Sequence, residues 1–119
     1  RIGVMGLSLG GEMTLFLSTL ETRVRAVCTC GHLRDLARHF EHVDLAALIA
    51  PRPLFIDSGR NDPQFPSRDA RAAVRQLRPI YDLYDQPRAA LGIEVHDGAH
   101  EISGKRSIPW MLKHLKDTP

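Results

Sequence analysis

Three residues have the types that acyl transfer needs: Ser8, Asp62 and His100. A serine hydroxyl is a weak nucleophile until a neighbouring base takes its proton. An imidazole is an efficient base only when a third group holds it in one tautomer. Ser8 sits in Gly6-Leu7-Ser8-Leu9-Gly10-Gly11, between an apolar strand pattern over residues 2–5 and a helical pattern from Glu12 to Leu17. That context is the sharp strand–turn–helix bend that lifts a serine hydroxyl clear of a sheet. Gly6 and Gly10, lacking Cβ, are expected to let strand and helix approach on either side of it. The helix that follows aims its first amides at the place where an oxyanion would form.

Asp62 follows a third apolar run, Leu54-Phe55-Ile56-Asp57, and His100 follows a fourth, Leu91 to His96. Ser8, Asp62 and His100 thus emerge from the carboxyl ends of successive strands, the rim where open α/β sheets place their sites. Each assignment has rivals. Asp57 is an alternative acid, although it ends the strand itself and would have to bend back. Asp97 is closer to His100 in sequence and is expected to stabilise its own turn. His96, still on the strand, reads as a half-buried, satisfied histidine rather than the base. His39 and His42, with Glu41, could face one side of a helix as metal ligands. No third histidine or cysteine lies at a recognised zinc spacing, so a solvated segment is the expectation, with no metal and no cofactor.

The elements that must carry these groups alternate. A helix is expected over residues 11–20, with Met13, Leu17 and Leu20 on one face and Phe16 beside them. A second buried strand runs from Val24 to Thr29 and ends at Gly31. One short helix is expected around Leu33 to Phe40, and a turn of helix capped by Asp44 through Ile49, closed by Pro51 and Pro53. Residues 58–66 read as a loop. Ser67 offers an N-cap for a long helix in which Ala70, Ala73, Val74, Leu77, Ile80, Tyr81 and Tyr84 recur at helical spacing, with a kink or break near Arg78 because of Pro79. A last helix covers Ile108 to Leu115, with Trp110, Met111 and Leu115 available to pack.

Strands alternating with helices imply a parallel sheet with right-handed crossovers. All three connections then fall on one face, and only the C-terminal helix is left for the other. The strand over residues 2–5 lacks a neighbour on one edge. Its apolar residues Ile2, Val4 and Met5 make that edge an association surface, so a homodimer is expected unless an upstream segment covers it.

The 119 residues are 43% hydrophobic, enough for one single domain, 1–119, to bury a core without metals or disulfides. Sixteen basic and fourteen acidic residues are spread without runs, which argues against nucleic acid as a partner. No 18-residue apolar run exists, which argues against a membrane span. Cys28 and Cys30, at i and i+2 on a strand, read as buried free thiols, and these point to a cytoplasmic location. Arg1 opens in the middle of a strand pattern rather than at a methionine, so an upstream segment is expected.

Taken together, residues 1–11, the run Ala50-Pro51-Arg52-Pro53-Leu54-Phe55-Ile56, the run Gly59-Arg60-Asn61-Asp62-Pro63 with Phe65-Pro66, and Gly98-Ala99-His100 resemble the α/β-hydrolase superfamily. The order Ser, Asp, His is the chain order of that superfamily. Within it they resemble the branch of dienelactone-hydrolase-like proteins and acetyl xylan esterases. The resemblance implies hydrolysis of small carboxylic esters, with Ser8 as nucleophile, His100 as base, Asp62 as the acid that orients it and Leu9 N–H in the oxyanion hole. Dienelactone hydrolases proper carry cysteine at the elbow, so Ser8 favours the esterase side. Peptidase or thioesterase activity stays open, because the elbow does not encode the leaving group. The chain departs from the pattern twice: residues 31–49 are shorter than the usual cap, and the strands that precede the elbow are absent. It resembles the carboxyl-terminal half of the fold, without the upstream loop that supplies the second oxyanion amide. A self-associating half with little turnover is therefore the competing expectation.

Overall fold

The computed structural model describes residues 1–33 and 42–116. Four strands form one parallel sheet in sequence order: β1 (Ile2–Leu7), β2 (Val24–Cys30), β3 (Leu54–Gly59) and β4 (Leu91–His96). Between them lie α1 (Leu9–Leu20), α2 (His42–Ala47) and α3 (Ser67–Asp82), and α4 (Ser107–Lys116) closes the chain. This is the expected α/β architecture.

The strands read as near-continuous apolar runs because both faces of the sheet are covered. Val27, Leu54, Ile56 and Leu91 point to the face where Leu15 of α1, Leu45 and Ile49 in and after α2, and Leu77 and Tyr81 of α3 pack. Alternate positions, Ala26, Cys28, Cys30 and Phe55, point to the other face and meet Met111, Trp110 and Leu115 of α4. All three crossovers therefore share one face and α4 alone takes the other, as the handedness rule requires. Val24 departs from the alternation because the β1–β2 register shifts between Ile2 and Gly3. Ordinary transfer values of about 25 cal/mol per Å² make these two layers the main source of stability.

Three details differ from expectation. Met13, Phe16, Leu17 and Leu20 of α1 do not face the core; Met13 is 52% and Leu20 83% exposed. The buried stripe is instead Gly11, Thr14, Leu15 and Ser18. Small side chains let the helix lie close on the sheet. The hydroxyls of Thr14 and Ser18 are buried at little cost, since they donate to the carbonyls of Gly10 and Thr14, both at 2.7 Å. Second, α3 runs through Pro79 to Asp82. Pro79 stands in the last turn, where one lost amide interrupts little of the ladder, and Tyr84 falls beyond the helix end. Third, β1 and β3 each run two residues past the expected ends, so Ser8 and Arg60 follow their strands directly. The helix expected around Leu33 to Phe40 lies, apart from Leu33, outside the described residues.

Arg52 ties the back of the sheet together. Its guanidinium donates to the carbonyls of Ser18 (2.6 Å), Glu21 (3.1 Å) and Val24 (3.3 Å), satisfying groups at and just beyond the α1 terminus. The Tyr81 hydroxyl in turn donates to the Arg52 carbonyl at 2.7 Å.

Candidate active site

Ser8 stands alone between the last residue of β1 and the first of α1, with φ 58° and ψ −121°. That backbone conformation is one L-residues rarely adopt. It is held from both sides: Ser8 N–H donates to the Cys30 carbonyl at 3.0 Å, and Glu12 N–H donates to the Ser8 carbonyl at 3.1 Å. Gly6 is required, because a Cβ there would lie 2.1 Å from the Gly10 carbonyl oxygen. Gly10 is not required in the same way, since a Cβ there would meet nothing within 4 Å. The second tight approach belongs to Gly11, whose Cβ would fall 2.9 Å from the His32 Cβ and 3.0 Å from the Cys30 oxygen. Leu9 opens α1, so its N–H is among the amides with no intrahelical acceptor.

Asp62 and His100 meet across the loops that follow β3 and β4. Asp62 Oδ2 lies 2.7 Å from His100 Nδ1. The other carboxylate oxygen accepts the amides of Gln64 (2.8 Å) and Phe65 (3.0 Å). Asp62 is only 5% exposed. Its burial opposes ionisation, but the His100 hydrogen bond and the two amides outweigh that and hold the carboxyl below its ordinary range. With Nδ1 donating to a carboxylate, the neutral imidazole is left with a bare Nε2, the form a general base requires. The ring stacks on Phe65, centroids 5.5 Å apart and planes 18° apart. Its other neighbour is Gly31, at φ 50°, where a Cβ would lie 3.1 Å from His100 Nδ1.

The two loops are laced together. Arg60 N–H donates to the His96 carbonyl at 2.8 Å, Asn61 N–H to that of Gly98 at 3.1 Å, and the Asn61 side chain to that of Asp97 at 2.6 Å. Gly59 allows the approach, for a Cβ there would sit 1.8 Å from the Ala99 oxygen. The Asp97 carboxylate pairs with Arg60 of the neighbouring loop at 3.0 Å.

The two rivals, Asp57 and His96, are paired with one another instead of with the site. Asp57 is fully buried; its Oδ2 accepts from Ser107 Oγ (3.0 Å) and Gly104 N–H (3.3 Å), and its Oδ1 faces His96 Nε2 at 3.3 Å. His96 Nδ1 accepts from Gly98 N–H at 3.0 Å, which leaves the hydrogen on Nε2 toward Asp57. This pair anchors the start of α4. Cys28 and Cys30 are free and buried with sulfurs 3.6 Å apart; hydrogen bonding to Cys30 and burial push the Cys28 thiol up, away from reactivity.

His39 and Glu41 lie outside the described residues. His42 is described, and it meets residues that its sequence neighbours do not indicate: Glu12 and His32, with one ligand-type atom from each within 4.8 Å of the others. Phe65, Gly31, Glu12 and His32 were not distinguished by spacing. Phe65 carried one signal, its place three residues beyond Asp62.

No family model matches the chain. Among solved structures, the methylesterase BT1017 superposes with a TM-score of 0.78 at 26% identity, over 98% of this chain and 30% of its own. A glucuronoyl esterase from Solibacter usitatus gives 0.79 at 14% identity, over 98% of this chain and 42% of its own. The chain has the α/β-hydrolase fold. Among curated proteins, the Bacillus subtilis (strain 168) protein "Putative hydrolase YtaP" is 28% identical over 120 residues, 77% of this chain and 40% of that protein. The chain thus spans less than half the length of these three relatives. Among its described residues no helix is long and apolar enough to cross a membrane.

Proposed function

We propose that the chain carries a serine esterase site that hydrolyses small, acetyl or short-acyl, carboxylic esters. The observation that carries the reading is the 2.7 Å Asp62–His100 pair on the same sheet rim as a serine in a strained turn. Similarity to a methylesterase and a glucuronoyl esterase supports an ester as substrate. In this reading His100 Nε2 takes the Ser8 proton as Oγ attacks the carbonyl carbon, and the Asp62 carboxylate holds Nδ1–H and balances the imidazolium. Leu9 N–H donates to the oxyanion. His100 then returns the proton to the leaving alcohol, and a water activated by the same nitrogen hydrolyses the acyl-enzyme. The second oxyanion amide would come from an upstream segment or a partner copy; losing one such donor costs on the order of 10²–10³ in turnover. Hydrolysis of p-nitrophenyl acetate by the protein and by Ser8→Ala tests the reading: turnover that survives the substitution refutes it.

A second reading, a self-associating half with little turnover, is favoured by one observation. The edge of β1 and the outer face of α1 expose Met13, Phe16, Leu17 and Leu20 together, a groove that includes Gly3, Val4 and Met5. Patches of this kind mark association surfaces. Sedimentation at the mass of a single chain would remove the homodimer, and saturable Ser8-dependent turnover would remove the inactive half.

A further inference from the structure

Glu12, His32 and His42 come from three separate segments: the first turn of α1, the residue after Gly31, and the first residue of α2. Nothing in the proposed ester hydrolysis uses them. His32 Nε2 and His42 Nε2 face one another at 3.1 Å, with ring centroids 4.1 Å apart. Two imidazolium ions could not share that distance, so at least one ring is neutral there, the form that ligates metals. Zn–N bonds of about 2.05 Å at a tetrahedral angle place two ligand nitrogens about 3.3 Å apart. The observed separation is close to that value. One Glu12 carboxylate oxygen lies within 4.8 Å of a ring nitrogen of each histidine, on a side chain that is half-buried.

We infer that Glu12, His32 and His42 form a zinc site. Two imidazoles and one carboxylate are a donor set suited to Zn²⁺ and its first-row neighbours, and three protein ligands leave the fourth position to water. The ion would join α1 to the segment leaving β2 and to α2, fixing the connection that begins beside the nucleophile. The coupling to the rim is short: Glu12 N–H donates to the Ser8 carbonyl, and Phe65 packs on His32 (5.6 Å) as well as on His100. The ion's proposed part is structural, a clamp on that connection, and the inference stands whether or not Ser8 is a nucleophile.

The test is calorimetric titration of ZnCl₂ into chelator-stripped protein, beside Co²⁺ titration followed by visible absorption. One zinc per chain is expected, with the intense cobalt bands of a four-coordinate site. Glu12→Gln, His32→Asn and His42→Asn should each weaken zinc binding by roughly tenfold or more. His114→Asn, beside Trp110 on α4, and Ser8→Ala should bind as the wild type does. Retained binding in Ser8→Ala that has lost ester hydrolysis separates this inference from the esterase reading. Should a histidine variant lose its far-ultraviolet dichroism, Glu12→Gln and the wild-type cobalt spectrum decide. Absence of one-to-one zinc binding by the wild type, a six-coordinate cobalt spectrum, or unchanged affinity in Glu12→Gln overturns the site.

Discussion

Replacing Ser8 by glycine should make the protein more stable than replacing it by alanine, and the difference measures the strain stored at the elbow. Both variants remove the hydroxyl, and both keep the Ser8 amide bond to Cys30, so only the backbone conformation distinguishes them. At φ 58° and ψ −121° a Cβ costs about 1–3 kcal/mol, which glycine does not incur. Glycine also enlarges the unfolded ensemble, a cost of about 0.4–1 kcal/mol. With central values of about 2 and about 0.7 kcal/mol, the net gain is about 1.3 kcal/mol. With a urea slope of about 1–2 kcal/mol per molar for a chain of this size, the unfolding midpoint of Ser8→Gly should exceed that of Ser8→Ala by about half a molar or more. Asp85 provides the internal control. It too has positive φ, 52°, but it is exposed and of a residue type that tolerates that region, so Asp85→Gly against Asp85→Ala should gain less. A Ser8→Gly midpoint equal to or below that of Ser8→Ala would refute the claim that the fold bends this residue against its preference.

The acid–base pair gives a pH prediction. The Asp62 carboxyl titrates below its ordinary value in the folded chain, so its contribution to stability is present above about pH 3.9 and is lost as pH falls through the folded value. Urea midpoints from pH 7 to pH 3 should show Asp62→Asn less stable at neutrality, with the gap to wild type closing only at the acid end; ester turnover at pH 7 should fall on the order of 10³-fold or more. Gly59→Ala drives a Cβ to 1.8 Å of the Ala99 oxygen, so the His100 loop must shift. Thermal melts should show a loss of about 1–3 kcal/mol, and turnover should fall although no reacting group is altered. Arg52→Ala removes a donor from three carbonyls, of which that of Glu21 keeps the Val24 amide, and should cost about 2–3 kcal/mol by chemical denaturation, with no change in the Asp62–His100 pair.

The order of strands and helices was legible because parallel strands buried on both faces are written as apolar runs, and the loops between them as glycine, proline and aspartate. The elbow was legible for a related reason: only a narrow set of residues survives the turn at Ser8. The buried face of α1 was not. Periodicity weights bulky apolar residues, and here Met13, Phe16, Leu17 and Leu20 point outward while Gly11, Thr14 and Ser18 touch the sheet. The signal existed, since Gly11, Thr14, Leu15 and Ser18 recur at helical spacing as a small-residue stripe. Nor could spacing show that Asp57 and His96 face each other, because the register that opposes β3 to β4 is a tertiary fact. The Glu12, His32 and His42 group is hidden in the same way: its members are joined only by the packing of α1 against β2 and α2.

The lacing of the loop after β3 to the loop after β4 divides the rim mechanically. Asp62 and His100 travel together on one stiff unit, bound by three hydrogen bonds between loops and the close seat at Gly59. Ser8 rides on the neighbouring unit, joined to it through the carbonyls of Cys30 and Asp57 along the strand ends. Damage to the β1–β2 seam would therefore leave the histidine–aspartate proton signature intact while the serine drifted out of line. On the esterase reading, a variant of that kind would keep its Asp62–His100 pair in working order and lose the alignment of Ser8 with it.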